Sequence, residues 1–574
     1  VEAFPDVTDT QVTVISLYPG RAPEEVEKQV TIPLEIALAG VPNAIRMFSH
    51  TQFGLSFIVV TFDEKPSLFM ARQQVAERLR GLDLPPGVQP DLAPPATATG
   101  EIYRYRLKSD RLRPVELRAL QDWTVSRQLK QVPGIADVVS FGGPIKQYEV
   151  RPNLAKLRDY KITLAQLFTA LSRANANAGG GSVAQGKQQF LIRGIGLLRS
   201  SAEIGQIVVT ENKGSPLLVR DLAEVVESKV PEQGIVGFND EDDVVSGIVL
   251  LRKDENPSQV LDALKAKVAQ LNAGGLPKGV TIEPFYDRSW LIGKTLKTVF
   301  TNLLEGALLV TVVLYLFLAD LRAAAIVAAI IPLALLGTFI GLTLIGIPAN
   351  LLSLGAMDFG IIVDGAVIVI ENIFRRLGMA AHSDSSKPTL RTIEEAVNEV
   401  GRPTVFSMII IIVAHLPIFT MQRHEGKIFA PMAYSVVAAL ITSLILSLTL
   451  VPLLSKVAFS RGVPHEETKL MKRCLDWYEP ALKWALAHTR KVLMIAGAIL
   501  LATLALVPRL GTEFLPELNE GSIWINITLP TSISVDEAKR ELRKLRGIVG
   551  SFPEVANVVS KGGRPEDGTD PKNI

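Results

Sequence analysis

The chain has 574 residues, 48% hydrophobic and 21% charged, and its 60 Lys and Arg against 58 Asp and Glu leave a formal charge of +2. That length calls for several domains of about 100–200 residues each, and so balanced a charge offers no basic stripe for phosphates, which sets nucleic acid aside. The single cysteine, Cys474, cannot make an intrachain disulfide or a cysteine-based zinc site, so thiolate chemistry is not the mechanism.

The composition divides the chain in two. Residues 1–297 read as globular sequence with charges throughout and Gly/Pro turn clusters, whereas 298–510 carry long uncharged apolar runs. The sequence starts at Val1 without a signal-peptide pattern and reads as lacking its natural start. In the globular part, an apolar–turn–helix–turn–strand pattern beginning at Tyr18-Pro19-Gly20 returns at Leu529-Pro530-Thr531. Pro19/Pro530, Glu25/Asp536, Pro42/Pro553 and Ser49/Ser560 share an offset of 511 residues. A third partial copy lies at Pro133 to Ser140. Three copies predict repeated α+β units, each a strand, a helix and a returning strand, with helices on one face of a sheet.

The repeat lapses between about Pro152 and Gln233. There the run Ala178-Gly179-Gly180-Gly181-Ser182 predicts a flexible loop, and with no Lys-Ser/Thr after it the run is not a phosphate cradle. The acidic run Asp240-Glu241-Asp242-Asp243 reads as a solvated turn, with metal capture the less favoured reading.

A hydrocarbon core of about 30 Å needs about 20 apolar residues as helix. Six runs qualify: Thr298 to Leu318, Ala323 to Ile345, Asn350 to Phe374, Thr404 to Met421, Ile428 to Leu454, and Val492 to about Leu510. Pro332 and Pro417 fall inside two of them, which neighbouring helices can tolerate. Lys and Arg number five between Arg375 and Arg402, eight between Lys456 and Lys491, and none between Gly346 and Ala349, so the two rich segments are expected on the cytoplasmic side. Residues 1–297 and those from about Gly511 then lie outside the cytoplasm, with a preceding anchoring span expected before Val1.

The third run contains Asp358, Asp364 and Glu371. A carboxylate near the bilayer centre costs about 2.5–3.5 kcal/mol, so acids there usually face a bundle interior or water and serve a function. At about 100° per residue, Asp364 and Glu371 share one face to within about 20°, and Asp358 sits about 120° round. Burial raises a carboxyl pKa and a nearby cation lowers it, so such a group loads and releases a proton when its surroundings change. A structural ion pair with another helix is the plainer reading.

The run Asp358-Phe359-Gly360-x3-Asp364-Gly365-Ala366-x4-Glu371-Asn372 resembles the fourth transmembrane helix of resistance-nodulation-division (RND) pumps of the cobalt, zinc and cadmium efflux group. The resemblance covers nearly the whole chain, through Phe4-Pro5-Asp6, Gln52-Phe53-Gly54-Leu55-Ser56, Ala71-Arg72-Gln73-Gln74-Val75, Gly100-Glu101-Ile102-Tyr103 and Gly563-Arg564-Pro565. It implies the RND transporter fold, an α-helical polytopic bundle plus α+β periplasmic porter subdomains of repeated ferredoxin-like βαβ type. It further implies a parent chain about twice this length, with a homotrimer, a periplasmic adaptor protein and an outer-membrane channel as partners.

Mapped onto this sequence, the resemblance puts a first porter subdomain at 6–95 and a second at 99–151 and 234–287. A docking insertion falls at 152–233, family helices two to seven at 298–510, a cytoplasmic linker at about 456–491, and the start of a further porter subdomain at 511–574. Asp364 takes the main proton-relay position, with Asp358 and Glu371 beside it, and Glu305 is a further relay candidate. Drug-efflux members carry a second Asp where this chain has Gly365. The relay's basic partner is expected in the absent half. Glu101 matches a porter acid that contacts metal in zinc-type relatives, though an ordinary solvated Glu is commoner.

Copper and silver pumps use Met thioethers, but Ile362 stands where that branch places a membrane Met, and the expected strand from Ser522 to Leu529 has none. A divalent zinc, cobalt, nickel or cadmium ion therefore fits better as the transported substrate, with no cofactor. His415 is expected to be a hydrogen-bonded buried group, and Met357, Met408, Met421 and Met432 membrane packing. The implied function is proton-driven metal efflux across a Gram-negative inner membrane. The alternatives are export of amphiphilic drugs by the same fold and a proton-driven accessory factor for protein export. No nucleophile, base and orienter combine to support an enzyme.

Overall fold

The computed structural model describes residues 5–212, 214–355, 359–382, 390–460, 463, 468–511, 521–530 and 532–570. Its first layer is an antiparallel sheet in the spatial order Ala44–Gln52, Leu55–Phe62, Gln11–Leu17, Pro90–Leu92. Leu55–Phe62 is buried along its whole length because strands flank both edges and helices cover one face. Those helices are 23–38 and Leu68–Arg78, the second capped by Ser67, whose side chain accepts from the Met70 backbone N–H. The hairpin between the first two strands turns on Phe53-Gly54. Gly54 has φ of +67°, and an added Cβ would sit 3.3 Å from the Tyr18 carbonyl, so only glycine fits there without strain.

A second sheet repeats the plan. Its order is Ile135–Phe141, Ser246–Leu251, Glu101–Ser109, Val280–Asp287, again wholly antiparallel. Helix 114–129 stands in for helix 23–38, and both contain a π turn, Gln121–Val125 and Glu27–Thr31. Helix Pro257–Gln270 stands in for Leu68–Arg78, with Asn256 capping it and Pro257 at its first position. Both sheets thus have the ferredoxin-like order that the family resemblance implied.

The chain leaves the second sheet after Phe141 and rejoins it at Ser246. Between these points a ladder of Lys146–Pro152 with Ala223–Lys229 supports a small core of Leu157, Leu167, Ile204, Leu217 and Leu222. The glycine run is not an irregular loop, as the sequence implied. It opens the strand Ala178–Gln185 of a projecting hairpin with Gln188–Gly194, in which Phe190 and Leu191 are exposed. Cross-strand backbone bonds order this segment where glycine alone would not.

Gly234–Phe238 pairs antiparallel with Val559–Gly563, and helix Val535–Gly550 covers that ribbon with Ala538 and Leu542 against Ile235. The returning strand of the late repeat therefore docks on the early half. The run 522–529, expected as a strand, is not one in the structure; it is exposed as far as Thr528, and Leu529 packs against the core of Ile235, Ala538 and Leu542.

Among the described residues six helices are long and apolar enough to cross a membrane: Arg288–Leu318, Leu321–Ile345, Leu352–Ala380, Leu390–Thr420, Arg423–Ala458 and Thr489–Arg509. The fourth differs from expectation. Its α-helix begins at Leu390, passes through Pro403 and ends at Ala414, and Pro417 sits in a short 3-10 turn, Leu416–Thr420. Proline has no N–H and crowds the carbonyl four residues back, so the α-helix stops short of Pro417. Leu321–Ile345 and Arg423–Ala458 pack closely through small residues. A Cβ on Gly337 would run into Thr442, and one on Gly341 would lie 3.0 Å from Ala438.

Candidate functional site

Helix Phe359–His382 has two faces. Ile362, Val363, Ala366, Val369, Ile370 and Ile373 are buried against neighbouring helices. Ile361, Asp364, Glu371 and Arg375 are exposed along the opposite stripe. The seven-residue step from Asp364 to Glu371 returns to nearly the same azimuth, which puts both carboxylates on the open side. Asp358 and Met357 lie outside the described residues.

Several contacts fix this azimuth. Gly365 faces inward, where a Cβ would be 2.9 Å from Met408 and 3.4 Å from Thr404 and Ser447. The Ser443 hydroxyl donates to the Ile362 carbonyl, and Ser447 donates to the carbonyl of Ser443 at 2.7 Å. Ser435, Ser443, Ser447 and Ser455 form a buried hydroxyl row on Arg423–Ala458, each satisfied by a backbone carbonyl.

Asn372 is buried and ties the acid-bearing helix to the next one. Its amide donates to the Ala396 carbonyl at 2.8 Å and to Glu399 at 3.1 Å, while its oxygen accepts from Arg375 at 2.8 Å. Arg376 donates to Glu399 at 2.9 Å. Glu399 was missed in the sequence, because nothing in its spacing marks it. The only signal was the polar amide beside Glu371, which needed a partner if buried.

The other candidates stand apart. Glu305 is on an exposed face of Arg288–Leu318, and among the described residues Glu305, Asp364 and Glu371 carry no ion pair. Glu101, half-buried, is held by Arg104, whose Nε lies 2.8 Å from it and whose guanidinium stacks near Tyr286 and Trp524, 5.4 Å from each ring centre. Next to it on the strand, Tyr103 is pushed up to about 12 by burial, with Asp287 adding to the effect. Asp287 is itself held below the usual carboxylate range: burial opposes this, but Lys265 at 2.7 Å and the Ser289 hydroxyl and N–H outweigh it. Among the described residues no three His, Cys, Asp or Glu side chains converge as a metal site.

The acidic turn is not merely solvated. Asp242 pairs with Arg543 and Arg546, Asp243 with Lys539, and Glu241 with Arg106 at 3.0 Å. Two of its four acids, Asp242 and Asp243, are thus spent against helix Val535–Gly550. His415 donates through Nδ1 to the Ile411 carbonyl at 2.9 Å, as a hydrogen-bonded group should, but it is half-buried rather than buried. Met408 is buried packing, whereas Met421 is exposed.

A cavity of about 410 Å³ opens where the first sheet meets the ends of the membrane helices, lined by Asp6, Glu64, Asp254, Arg423 and Lys427 among others. Across this junction Lys427 Nζ donates to the Thr8 carbonyl at 2.9 Å, joining helix Arg423–Ala458 to the segment that leads into the first strand.

Comparison with known proteins places these features in context. The cation efflux system protein CzcA of Alcaligenes sp. strain CT14 is 38% identical over 588 residues, covering 100% of this chain and 55% of that protein. The cobalt-zinc-cadmium resistance protein CzcA of Cupriavidus metallidurans is 38% identical over 593 residues, covering 100% of this chain and 56% of that protein. A crystal structure of a heavy metal efflux pump superposes with a TM-score of 0.87 at 42% identity, over 100% of this chain and 55% of that one. The chain thus spans about half the length of these relatives. The AcrB/AcrD/AcrF family model matches residues 1–574, and the chain belongs to that family of RND transporters.

Proposed function

We propose that this chain forms part of a proton-driven pump that exports divalent heavy-metal cations of the zinc, cobalt, nickel or cadmium type. The observation that carries the reading is the pair Asp364 and Glu371, on one unpacked stripe of a helix whose other face is locked by Gly365, Ser443 and Asn372. Carboxylates within a membrane helix are costly, and a stripe left open is one that a further helix or a water path can cover. In this reading protons pass inward through Asp364, with Asp358 and Glu371 beside it and Glu305 as a further member.

Each proton crossing a potential of about 100 mV releases about 2.3 kcal/mol. The contact from Lys427 to Thr8 offers one route by which movement of a membrane helix reaches the first sheet. The metal is cargo, and Glu101 is its candidate ligand on the sheet side; Arg104 must swing away for Glu101 to bind it. The names of the relatives, which concern cation efflux and metal resistance, favour metal over amphiphilic drugs and over protein export.

The pump is read as a multi-pass protein of a Gram-negative inner membrane, with both sheets in the periplasm. It works as a homotrimer with a periplasmic adaptor and an outer-membrane channel. The exposed apolar hairpin bearing Phe190 and Leu191 supports packing of another copy against it.

The test is Asp364→Asn in the full-length pump, expressed in a pump-deleted host plated on zinc, cobalt, nickel and cadmium salts. Resistance should disappear while the assembly survives purification. Full resistance in that variant would overturn the relay.

A further inference from the structure

The cavity of about 410 Å³ between the first sheet and the membrane helices is lined by charges of both signs. Asp6 precedes the first strand, Glu64 follows Leu55–Phe62, and Asp254 follows Ser246–Leu251. Arg423 and Lys427 come from the first two turns of helix Arg423–Ala458. Four separate segments thus bring their charges to one space, which falls in the size range of small-molecule sites. Yet among the described residues no ion pair joins these three acids to either cation. Lys427 is held instead by the Thr8 carbonyl at 2.9 Å and by Asp9 at 4.0 Å, and Arg423 is exposed with no acidic partner. Opposite charges that share a cavity without neutralising one another leave both signs available to a ligand.

The cavity opens at the level where helices leave the membrane. Ile347 and Pro348 lie in the link between the spans Leu321–Ile345 and Leu352–Ala380, and Met421 lies in the link between Leu390–Thr420 and Arg423–Ala458. These apolar residues line the same space as the charges, as suits the depth at which headgroups give way to acyl chains. The charge pattern then decides among ligand classes. A metal ion needs converging carboxylates, and among the described residues no such cluster forms. A free anion would meet three carboxylates. A zwitterion meets complementary charge at both of its ends. Its anionic end is further favoured by the start of helix Arg423–Ala458, where Gln422 at the N-cap offers no side-chain hydrogen bond to the free N–H groups.

We propose that this cavity binds the phosphoethanolamine headgroup of a phospholipid from the leaflet that faces the two sheets. The phosphate lies against Arg423, Lys427 and the first turn of their helix, and the ammonium lies among Asp6, Glu64 and Asp254. The top of an acyl chain passes Ile347, Pro348 and Met421. A primary ammonium carries three N–H donors for those carboxylates. The quaternary ammonium of phosphatidylcholine has none, and phosphatidylglycerol has no cation to offer, so the site discriminates among headgroups.

The test uses the full-length pump in phosphatidylcholine vesicles containing a phosphatidylethanolamine with a free amine and a diazirine high on one acyl chain. After illumination, lipid adducts should map to residues 347–348 and 421–431. Added phosphatidylethanolamine should suppress them, whereas phosphatidylglycerol and soluble phosphoethanolamine should not. Each of Arg423→Glu and Asp254→Lys should lower labelling about fivefold or more, as expected for about 1 kcal/mol per charge near a membrane surface. Glu64→Gln, a milder change at an exposed residue, should lower it in the same direction with an unchanged thermal midpoint. Lys427 is left intact because it also holds Thr8. Absence of adducts from these residues would mean that the protein itself fills the cavity and would overturn the proposal. So would equal suppression by phosphatidylglycerol, displacement by soluble phosphoethanolamine, or labelling indifferent to all three substitutions.

Discussion

Arg546 Nε donates to the backbone carbonyl of Asn239 at 2.7 Å, although 307 residues separate the two in sequence. The same guanidinium reaches Ser560 at 2.6 Å and pairs with Asp242, and the residue is only 4% exposed. One side chain therefore joins helix Val535–Gly550, the returning strand Val559–Gly563 and the acidic turn.

Arg546→Ala should loosen this junction severely. Removing one partner of a buried ion pair leaves the other uncompensated and costs on the order of 3–5 kcal/mol. Limited proteolysis is the measurement: residues 521–570 should be released early in the variant, while residues 298–510 keep their normal protection. Unchanged protection would mean that the ribbon of Gly234–Phe238 with Val559–Gly563 holds without the charge.

Gly337→Ala tests whether the membrane helices depend on close backbone approach. The new Cβ runs into Thr442, and overpacking of this kind costs about 1–3 kcal/mol. A lower thermal midpoint in detergent is expected, and adding Thr442→Ala should restore most of it, because the two positions share one contact. Independent, additive effects would show that the helices separate easily to make room.

These two junctions mark the limit of what the sequence made legible. The repeated strand–helix–strand units could be read because their signals are local: the turn at Tyr18-Pro19-Gly20, the later Pro42 and Ser49, and the return of the same pattern at Leu529-Pro530-Thr531. The partnership of Asp242 with Arg546 could not, since any of the nearby acids and cations would satisfy composition alone and only the folded chain brings a chosen pair together. Pro417 was legible in principle, because its missing N–H ends an α-helix, yet length and apolarity favoured a continuous span. The acids Asp364 and Glu371 were assigned a shared face from spacing. That this face is the open one depends on the inward packing of Gly365 and Asn372, which spacing does not reveal.

Glu566 gives a pH prediction for the same junction. Burial raises its pKa above the ordinary carboxylate value, Asp122 pushes the same way, and Arg118 at 3.0 Å offsets only part of the effect. The folded state therefore holds this proton more tightly than the unfolded state. Its stabilising contribution is complete below the ordinary glutamate pKa and is lost as pH rises through the raised folded value. Denaturant unfolding of residues 521–570, followed by proteolysis from acid to neutral pH, should show this fall, and Glu566→Gln should reduce it. A slope unaltered by Glu566→Gln would assign the pH dependence to other groups.

Adjacent residues on the acid-bearing helix should respond in opposite ways. Asn372 turns inward and makes bonds of 2.8 Å to the Ala396 carbonyl and 3.1 Å to Glu399, whereas Glu371 turns to the open stripe. Asn372→Ala leaves buried polar groups unsatisfied at a cost of about 1–3 kcal/mol, so its thermal midpoint in detergent should fall. Glu371→Gln breaks no packing and should leave the midpoint unchanged while weakening metal resistance in the full-length pump. If Glu371→Gln lowers the midpoint as much as Asn372→Ala does, the carboxylate is a structural group and the relay loses one of its members.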